Sequence, residues 1–249
     1  MTARDPPLLE RGDALFLDFD GTLVEIVARP DLVQLDPAMR RALFALQAAL
    51  DGALAVVSGR RLADVDLYLH PLVALGAGAH GAELRTPHGL QLLELPSQSL
   101  RSAGQALRAE FDSVPGVLIE DKALSVALHF RNAPDQQRAC EQAAAKLAAA
   151  LGLHVLHGKR VVELRSPGVD KGGAVRTLLG LTPFHGRRPV FVGDDATDED
   201  AFAAVQAVEG RTVKVGEGST RARERLPDVG AVRRWLERSA AALGVPVAA

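Results

Sequence analysis

One cysteine, Cys140, is all the chain has, and that scarcity excludes a good deal. It cannot build an intrachain disulfide framework or a cysteine-based metal cluster. In its alanine-rich surroundings it reads as a small packing residue. Excess charge is missing too. A formal net charge of −2 gives no general attraction to nucleic acid or an anionic membrane. No apolar run reaches bilayer length, and residues 1–7 hold nothing suited to a signal peptide, so a cytoplasmic protein is expected. Lysine is the other shortage. Only Lys122, Lys146, Lys159, Lys171 and Lys214 stand among 29 basic residues, so a retained lysine hints that a compact ammonium is wanted.

What is present starts with two carboxylates. Asp18 and Asp20 follow the apolar residues 14–17 and precede Gly21. On a strand, residues two apart point the same way, so these groups repel. At about 4 Å and an effective dielectric near 20, two like charges cost about 4 kcal/mol. A cation offsets that cost, and one carboxylate can then attack an electrophile while the other handles protons.

The 249 residues, 47% hydrophobic and 24% charged, suit a soluble globular protein of one large domain or two smaller ones. Apolar runs at 14–17, 53–57 and 189–192 each end in polar residues: Asp18 and Asp20, Ser58-Gly59-Arg60, and Gly193-Asp194-Asp195. Helix signals lie between and after them. Asp36-Pro37 opens one helix that Gly52 closes, and Thr197 supplies a capping hydroxyl ahead of Asp198, Glu199 and Asp200. Alternating strands and helices predict an α/β core with a parallel sheet covered on both faces. Ligands in such folds sit beyond the carboxyl ends of the strands, where the three polar clusters would converge.

The middle of the chain reads differently. Linker-like residues at 95–97 and 166–168 bracket a helix at 98–111, strands at 117–122 and 123–131, a helix at 134–151, and strands at 154–159 and 161–165. Leu124, Val126, Leu128 and Phe130 alternate with Ser125, His129 and Arg131, the signature of a half-covered antiparallel sheet. Glu120 and Lys122 share one face, as do Lys159 and Glu163, which would turn a charged sheet face toward the active edge of the core. The expected division is a catalytic core at 1–95 and 168–249, with an inserted α+β cap at 96–167 whose helices lie on one face of its sheet.

A calcium loop starting at Asp18 fails, because its twelfth position is Arg29. The acids from Asp194 to Glu199, after another buried strand, suit Mg²⁺, which takes carboxylate and carbonyl oxygens together with phosphate. Ser58 and Lys171 offer a hydroxyl and an ammonium for an anion. Gly76-Ala77-Gly78-Ala79-His80-Gly81 satisfies the dinucleotide pattern, but a hairpin with a Pro87–Gly89 turn follows instead of a helix, so it is a decoy. His154 and His157, three apart on a strand, face opposite sides and make poor metal partners.

These residues carry a resemblance. Residues 18–23 (DFDGTL), 58–60 (SGR), Lys171 and residues 193–199 (GDDATDE) resemble the four motifs of the haloacid dehalogenase superfamily of phosphohydrolases. Residues 78–83, 120–122, 129–131 and 158–165 narrow the likeness to its trehalose-6-phosphate phosphatases, over residues 13–236. Phe130 and Val24 depart from the usual tyrosine and alanine, with no chemical role to name. The resemblance implies a Rossmann-like core with a cap inserted between the second and third motifs, closing over a sugar phosphate, trehalose 6-phosphate. It implies that Asp18 attacks phosphorus and becomes an aspartyl-phosphate, while Asp20 protonates the leaving oxygen and then activates water. Mg²⁺ would be held by Asp18, the Asp20 carbonyl and Asp194, with Asp195 and Asp198 in support. Ser58 and Lys171 would hold phosphoryl oxygens, and Arg60, Glu120, Lys122, Arg131, Lys159 and Glu163 would bind substrate. A phosphatase for another sugar phosphate such as sucrose phosphate, a sugar phosphomutase and a non-enzymatic sensor are the rivals; a sensor would usually lack Asp18 or Asp20. No nucleic-acid or membrane partner is expected, and the oligomeric state stays open, a monomer being compatible.

Overall fold

The computed structural model describes residues 6–27, 32–72, 75–92, 97–121, 125–158, 160–166 and 170–245; Lys122 and Lys159 lie outside them. The chain divides into two compact units, Met1–Gln91 with Asp170–Ala249, and Leu92–Val169. In chain order the elements are β1 (Asp13–Leu17), α1 (Pro37–Ala49), β2 (Leu54–Val57), α2 (Leu62–Leu69), β3 (Leu75–Gly78), β4 (Glu83–Thr86) and β5 (Gly89–Leu92). Next come α3 (Gln98–Phe111), β6 (Leu118–Asp121), β7 (Ser125–His129), α4 (Gln137–Leu151), β8 (His154–Gly158) and β9 (Val161–Arg165). The first unit resumes with α5 (Lys171–Leu179), β10 (Arg188–Gly193), α6 (Asp198–Gln206), β11 (Arg211–Val215), β12 (Glu224–Leu226) and α7 (Val229–Ala242).

The larger unit is α/β and Rossmann-like. Its sheet runs β12-β11-β10-β1-β2-β3-β4-β5, parallel from β12 to β3, with β4 turning back antiparallel. Every residue of β1 is fully buried, so both faces of this central strand are covered, as its unbroken apolar run requires. Helix α1 begins where Asp36 accepts the Ala38 N–H and Pro37 takes the first helical position. It buries Met39, Ala42, Leu43, Leu46 and Ala49, a stripe at helical spacing. That stripe packs with α7, which Asp228 caps through the Ala231 N–H. Helix α5 packs on α6, and Phe16 stacks on Phe184 with ring centroids 5.2 Å apart. Burying one such side chain contributes about 1.5–3 kcal/mol. Among the described residues no helix is long and apolar enough to cross a membrane.

The smaller unit is α+β: an antiparallel sheet in the order β6-β7-β9-β8. Val126, Leu128 and Phe130 share one core with Leu100, Leu107 and Phe111 of α3 and with Ala144 of α4, which accounts for the alternation on β7. Cys140 is buried in the same cluster, as a packing residue should be. The stretch at 134–151 is not one continuous helix. Pro134–Gln136 forms a single 3₁₀ turn before α4, in keeping with a proline that supplies no N–H.

Candidate active site

The strand ends assemble the site. Asp18 continues the β1 ladder, its N–H donating to Val192 of β10 at 2.9 Å, so the residue leaves β1 still held by its neighbour. The chain then turns at Gly21, whose φ of +73° favours glycine. A Cβ there would also collide with the Asp194 carboxylate, and one on Gly193 with Asp198. The carboxylates occupy the room that side chains at these two positions would need.

Carboxylate oxygens of Asp18, Asp194 and Asp198 lie within 4.8 Å of one another. Lys171, 1% exposed at the start of α5, reaches between two of them: its Nζ stands 2.8 Å from Asp18 Oδ1 and 2.7 Å from Asp198 Oδ1. Burial disfavours its charge, but Asp18 and Asp198 more than offset that and hold the ammonium protonated. Burial and the neighbouring Asp198 push the Asp18 carboxyl well above its ordinary range despite Lys171. Asp194 is pushed up to about 7 by burial, then by Asp198 and Asp195, against the pull of Lys171 and Lys214. Lys214, buried on β11, donates its ammonium to the Asp194 carbonyl. Three carboxylates crowd together with one ammonium held between two of them, and the donors are all oxygen. Such a set fits a hard divalent cation.

Asp198 stands with Asp18 and Asp194 in this triad. Its Oδ2 also accepts the Asp195 N–H at 2.9 Å, while the Asp195 side chain turns away to the Ala196 N–H. Thr197 does not cap α6 with its hydroxyl as expected. Its backbone is already helical (φ −69°, ψ −18°), and it makes no side-chain capping bond.

Ser58 leaves β2 fully buried, and its hydroxyl oxygen accepts the Arg60 N–H at 3.0 Å. Arg60 forks onto Asp20, Nε and Nη2 each donating at 2.6 Å, with its guanidinium 5.4 Å from the centre of the Phe19 ring. The sequence pointed Arg60 at substrate; here it holds the second aspartate of the pair. Two parallel N–H donors fix the plane and orientation of the Asp20 carboxyl group.

In the smaller unit, register sets Glu120 and Glu163 on either side of Ala127 in one cross-strand row. Glu163 is 7% exposed, and Glu120 Oε2 lies 2.8 Å from His129 Nε2. Arg131 is exposed in the turn after β7. His154 and His157 are exposed and belong to no metal-ligating cluster among the described residues; His157 Nδ1 lies 3.9 Å from Glu141 Oε1. Two residues without a role in the sequence reading gain a place: Lys214, signalled by the scarcity of lysine, and His129, signalled by its face on β7.

A family model described as trehalose-phosphatase matches residues 16–227. The trehalose-6-phosphate phosphatase of Escherichia coli (strain K12) is 39% identical over 241 residues, covering 96% of this chain and 91% of that protein. A probable trehalose-phosphate phosphatase of Sinorhizobium fredii is 42% identical over 205 residues, covering 82% of this chain and 77% of that one. A solved trehalose-6-phosphate phosphatase related protein superposes with a TM-score of 0.74 at 30% identity, covering 93% of this chain and 98% of that one. The C-terminal domain of the Candida albicans trehalose-6-phosphate phosphatase shares the fold, with a TM-score of 0.81 at 21% identity over 97% of this chain and 99% of that one. The acidic triad, its ammonium and the two-unit α/β architecture thus sit in a chain that belongs to the trehalose-phosphatase family of phosphoric monoester hydrolases.

Proposed function

We propose that this protein hydrolyses trehalose 6-phosphate to trehalose and inorganic phosphate through an aspartyl-phosphate on Asp18. The observation that carries the reading is the triad of Asp18, Asp194 and Asp198, with Lys171 paired to Asp18 and Asp198, in a chain with relatives named for that reaction. An Asp18 oxygen attacks phosphorus as the bond to the sugar oxygen breaks, and Asp20 gives that oxygen its proton. Asp20, now ionised, takes a proton from water as the water oxygen attacks phosphorus, releasing phosphate and restoring the Asp18 carboxylate. Ser58 and Lys171 orient the phosphoryl oxygens and offset their charge, which is most of what phosphoryl transfer asks of a protein. Mg²⁺, held by the carboxylates of Asp18 and Asp194 and the Asp20 carbonyl, with Asp198 and Asp195 in support, would supply further positive charge facing the dianion.

The substrate's hydroxyls call for carboxylates, and Glu120 and Glu163 of the smaller unit are assigned that task, with Lys122, Lys159 and Arg131. A site built for hydroxyls rejects analogues that leave its polar groups unpaired. Phosphate release measured over a panel of sugar phosphates, with Mg²⁺ and with a chelator, tests the whole reading. Trehalose 6-phosphate should be turned over best, and chelation should abolish release. Preference for sucrose phosphate would move the protein to another substrate, and isomerised sugar phosphate in place of free phosphate would make it a mutase. Glu163→Ala should lower kcat/KM for trehalose 6-phosphate about ten-fold or more while changing hydrolysis of p-nitrophenyl phosphate little. Equal losses on both would contradict a sugar-reading role.

A further inference from the structure

The glycine-rich run 76–83 leads into strand β4 instead of the helix that a dinucleotide loop opens, and it is built with unusual constraint. Ala79 and His80 both lie in the left-handed region, φ 47° and 56°, at a cost of order 1–3 kcal/mol each. Such strain persists where the surroundings fix it, and they do. The Ala79 N–H donates to the Arg60 carbonyl at 2.7 Å and the His80 N–H to the Ser58 carbonyl at 3.0 Å. A Cβ at Gly78 would stand 2.6 Å from the Leu62 nitrogen, and one at Gly81 would stand 2.6 Å from the Asp170 carbonyl oxygen. The run is therefore pressed between the Ser58–Leu62 segment and the residue that precedes Lys171. Beyond it, Glu83 buries its carboxylate (2% exposed) against the start of α2. Its Oε2 accepts the Leu62 N–H at 2.8 Å, and its Oε1 accepts from Arg61 Nε at 3.1 Å. Arg61, at the N-cap position of α2, makes no side-chain capping bond, so the cap comes from Glu83, 21 residues on.

We propose, resting on the reading above that gives Asp20 the leaving-group proton, that Glu83 is a positioning residue for that step. The path is short: Glu83 fixes Arg61 and Leu62, the Ala79–His80 turn fixes the carbonyls of Ser58 and Arg60, and Arg60 forks onto Asp20. Losing the Glu83 carboxylate leaves the Leu62 N–H unpaired and lets Arg60, and with it Asp20, drift. In the step that expels the leaving group, small misplacements of the proton donor are costly only where that group needs the proton, whereas the later attack of water on the aspartyl-phosphate is common to all substrates.

Leaving-group dependence separates this role from mere loss of folded protein. In E83A, kcat/KM, which ends at the step that expels the leaving group, should fall about ten-fold or more for trehalose 6-phosphate, whose alkoxide must be protonated. With p-nitrophenyl phosphate, whose leaving group departs unaided, the fall should be less than about three-fold. E83Q keeps an oxygen for the Leu62 N–H, and it should stay within about three-fold of the parent on both. If E83A does not fold, E83D, one methylene short of α2, is read the same way. Equal losses on the two substrates, no loss on either, or no recovery in E83Q would overturn the role of Glu83 while the hydrolysis itself stood. A parent protein that releases phosphate from neither substrate would remove the functional reading, and the positioning role with it.

Discussion

Strand β1 carries a buried aspartate at each end, and the two are treated in opposite ways. Asp13, fully buried at the N-terminal end, meets Arg188 Nε at 2.8 Å through Oδ1, and Arg211 Nη2 at 2.6 Å and the Glu10 N–H at 2.9 Å through Oδ2. Two guanidinium groups serve one carboxylate. Asp18, at the C-terminal end, shares one ammonium with Asp198 and has Asp194 close by as well. One end of the strand is balanced from within, and its arginines tie β10 and β11 to β1. The other is left short of positive charge, and its carboxyl is driven upward by burial and by Asp198. A deficit maintained at a sheet end where ligands gather is what a site for a cation and a phosphate dianion requires.

Neutralising each aspartate in turn tests that contrast. Asp18→Asn should abolish turnover of trehalose 6-phosphate, by about 10⁴-fold or more, because an amide cannot take the phosphoryl group. It should also raise Tm in ion-free buffer, since it removes a charge that its surroundings disfavour. Asp13→Asn should do the reverse. The specific activity of folded protein stays near that of the parent, while stability falls by about 3 kcal/mol as an amide N–H₂ faces a guanidinium. For a chain of this size that corresponds to a Tm lower by roughly 10 °C. Calorimetry and phosphate release on the same samples check both. Matching signs of the Tm change at the two ends would dissolve the distinction.

Much of the fold was legible because its cause is local. The apolar runs leading into Asp18, Ser58 and Gly193 are strands buried on both faces, and such strands read as unbroken hydrophobic sequence. Alternation on β7 reports a sheet with one covered face. Asp18, Lys171 and Asp194, which the structure brings together, were likewise singled out by type and by placement at strand and helix ends. What stayed hidden depends on register and on partners far along the chain. Arg60 finds Asp20 40 residues away, and Glu83 caps a helix whose own N-terminus offers no capping side chain. The string at 76–81 is indistinguishable in composition from a dinucleotide loop, yet its glycines answer to backbones at positions 60, 62 and 170. The resemblance gave Asp198 a supporting place at the metal, but nothing local says that it turns inward to Lys171.

The smallest expected effect concerns pH. Asp194 binds its proton more tightly in the folded chain, near 7, than the ordinary value of 3.8 that holds when unfolded. Between those values the folded state carries the extra proton, so stability falls as pH rises through that window. Asp18 acts in the same direction. Chelated protein should therefore melt at a lower temperature at pH 7.5 than at pH 5.5, and Asp194→Asn should flatten the slope. Mg²⁺ prefers the ionised carboxylates and should oppose the loss, most strongly at the higher pH. At one hundred times its dissociation constant it would add about 2.7 kcal/mol. Asp13→Asn supplies the control: it lowers every Tm but leaves the slope between pH 5.5 and 7.5 as it was, because it leaves the cluster of Asp18, Asp194 and Asp198 untouched. If the chelated parent melts at one temperature across this range, the three carboxylates are not strained by each other's charge, and the case for a cation at that end of the sheet goes with them.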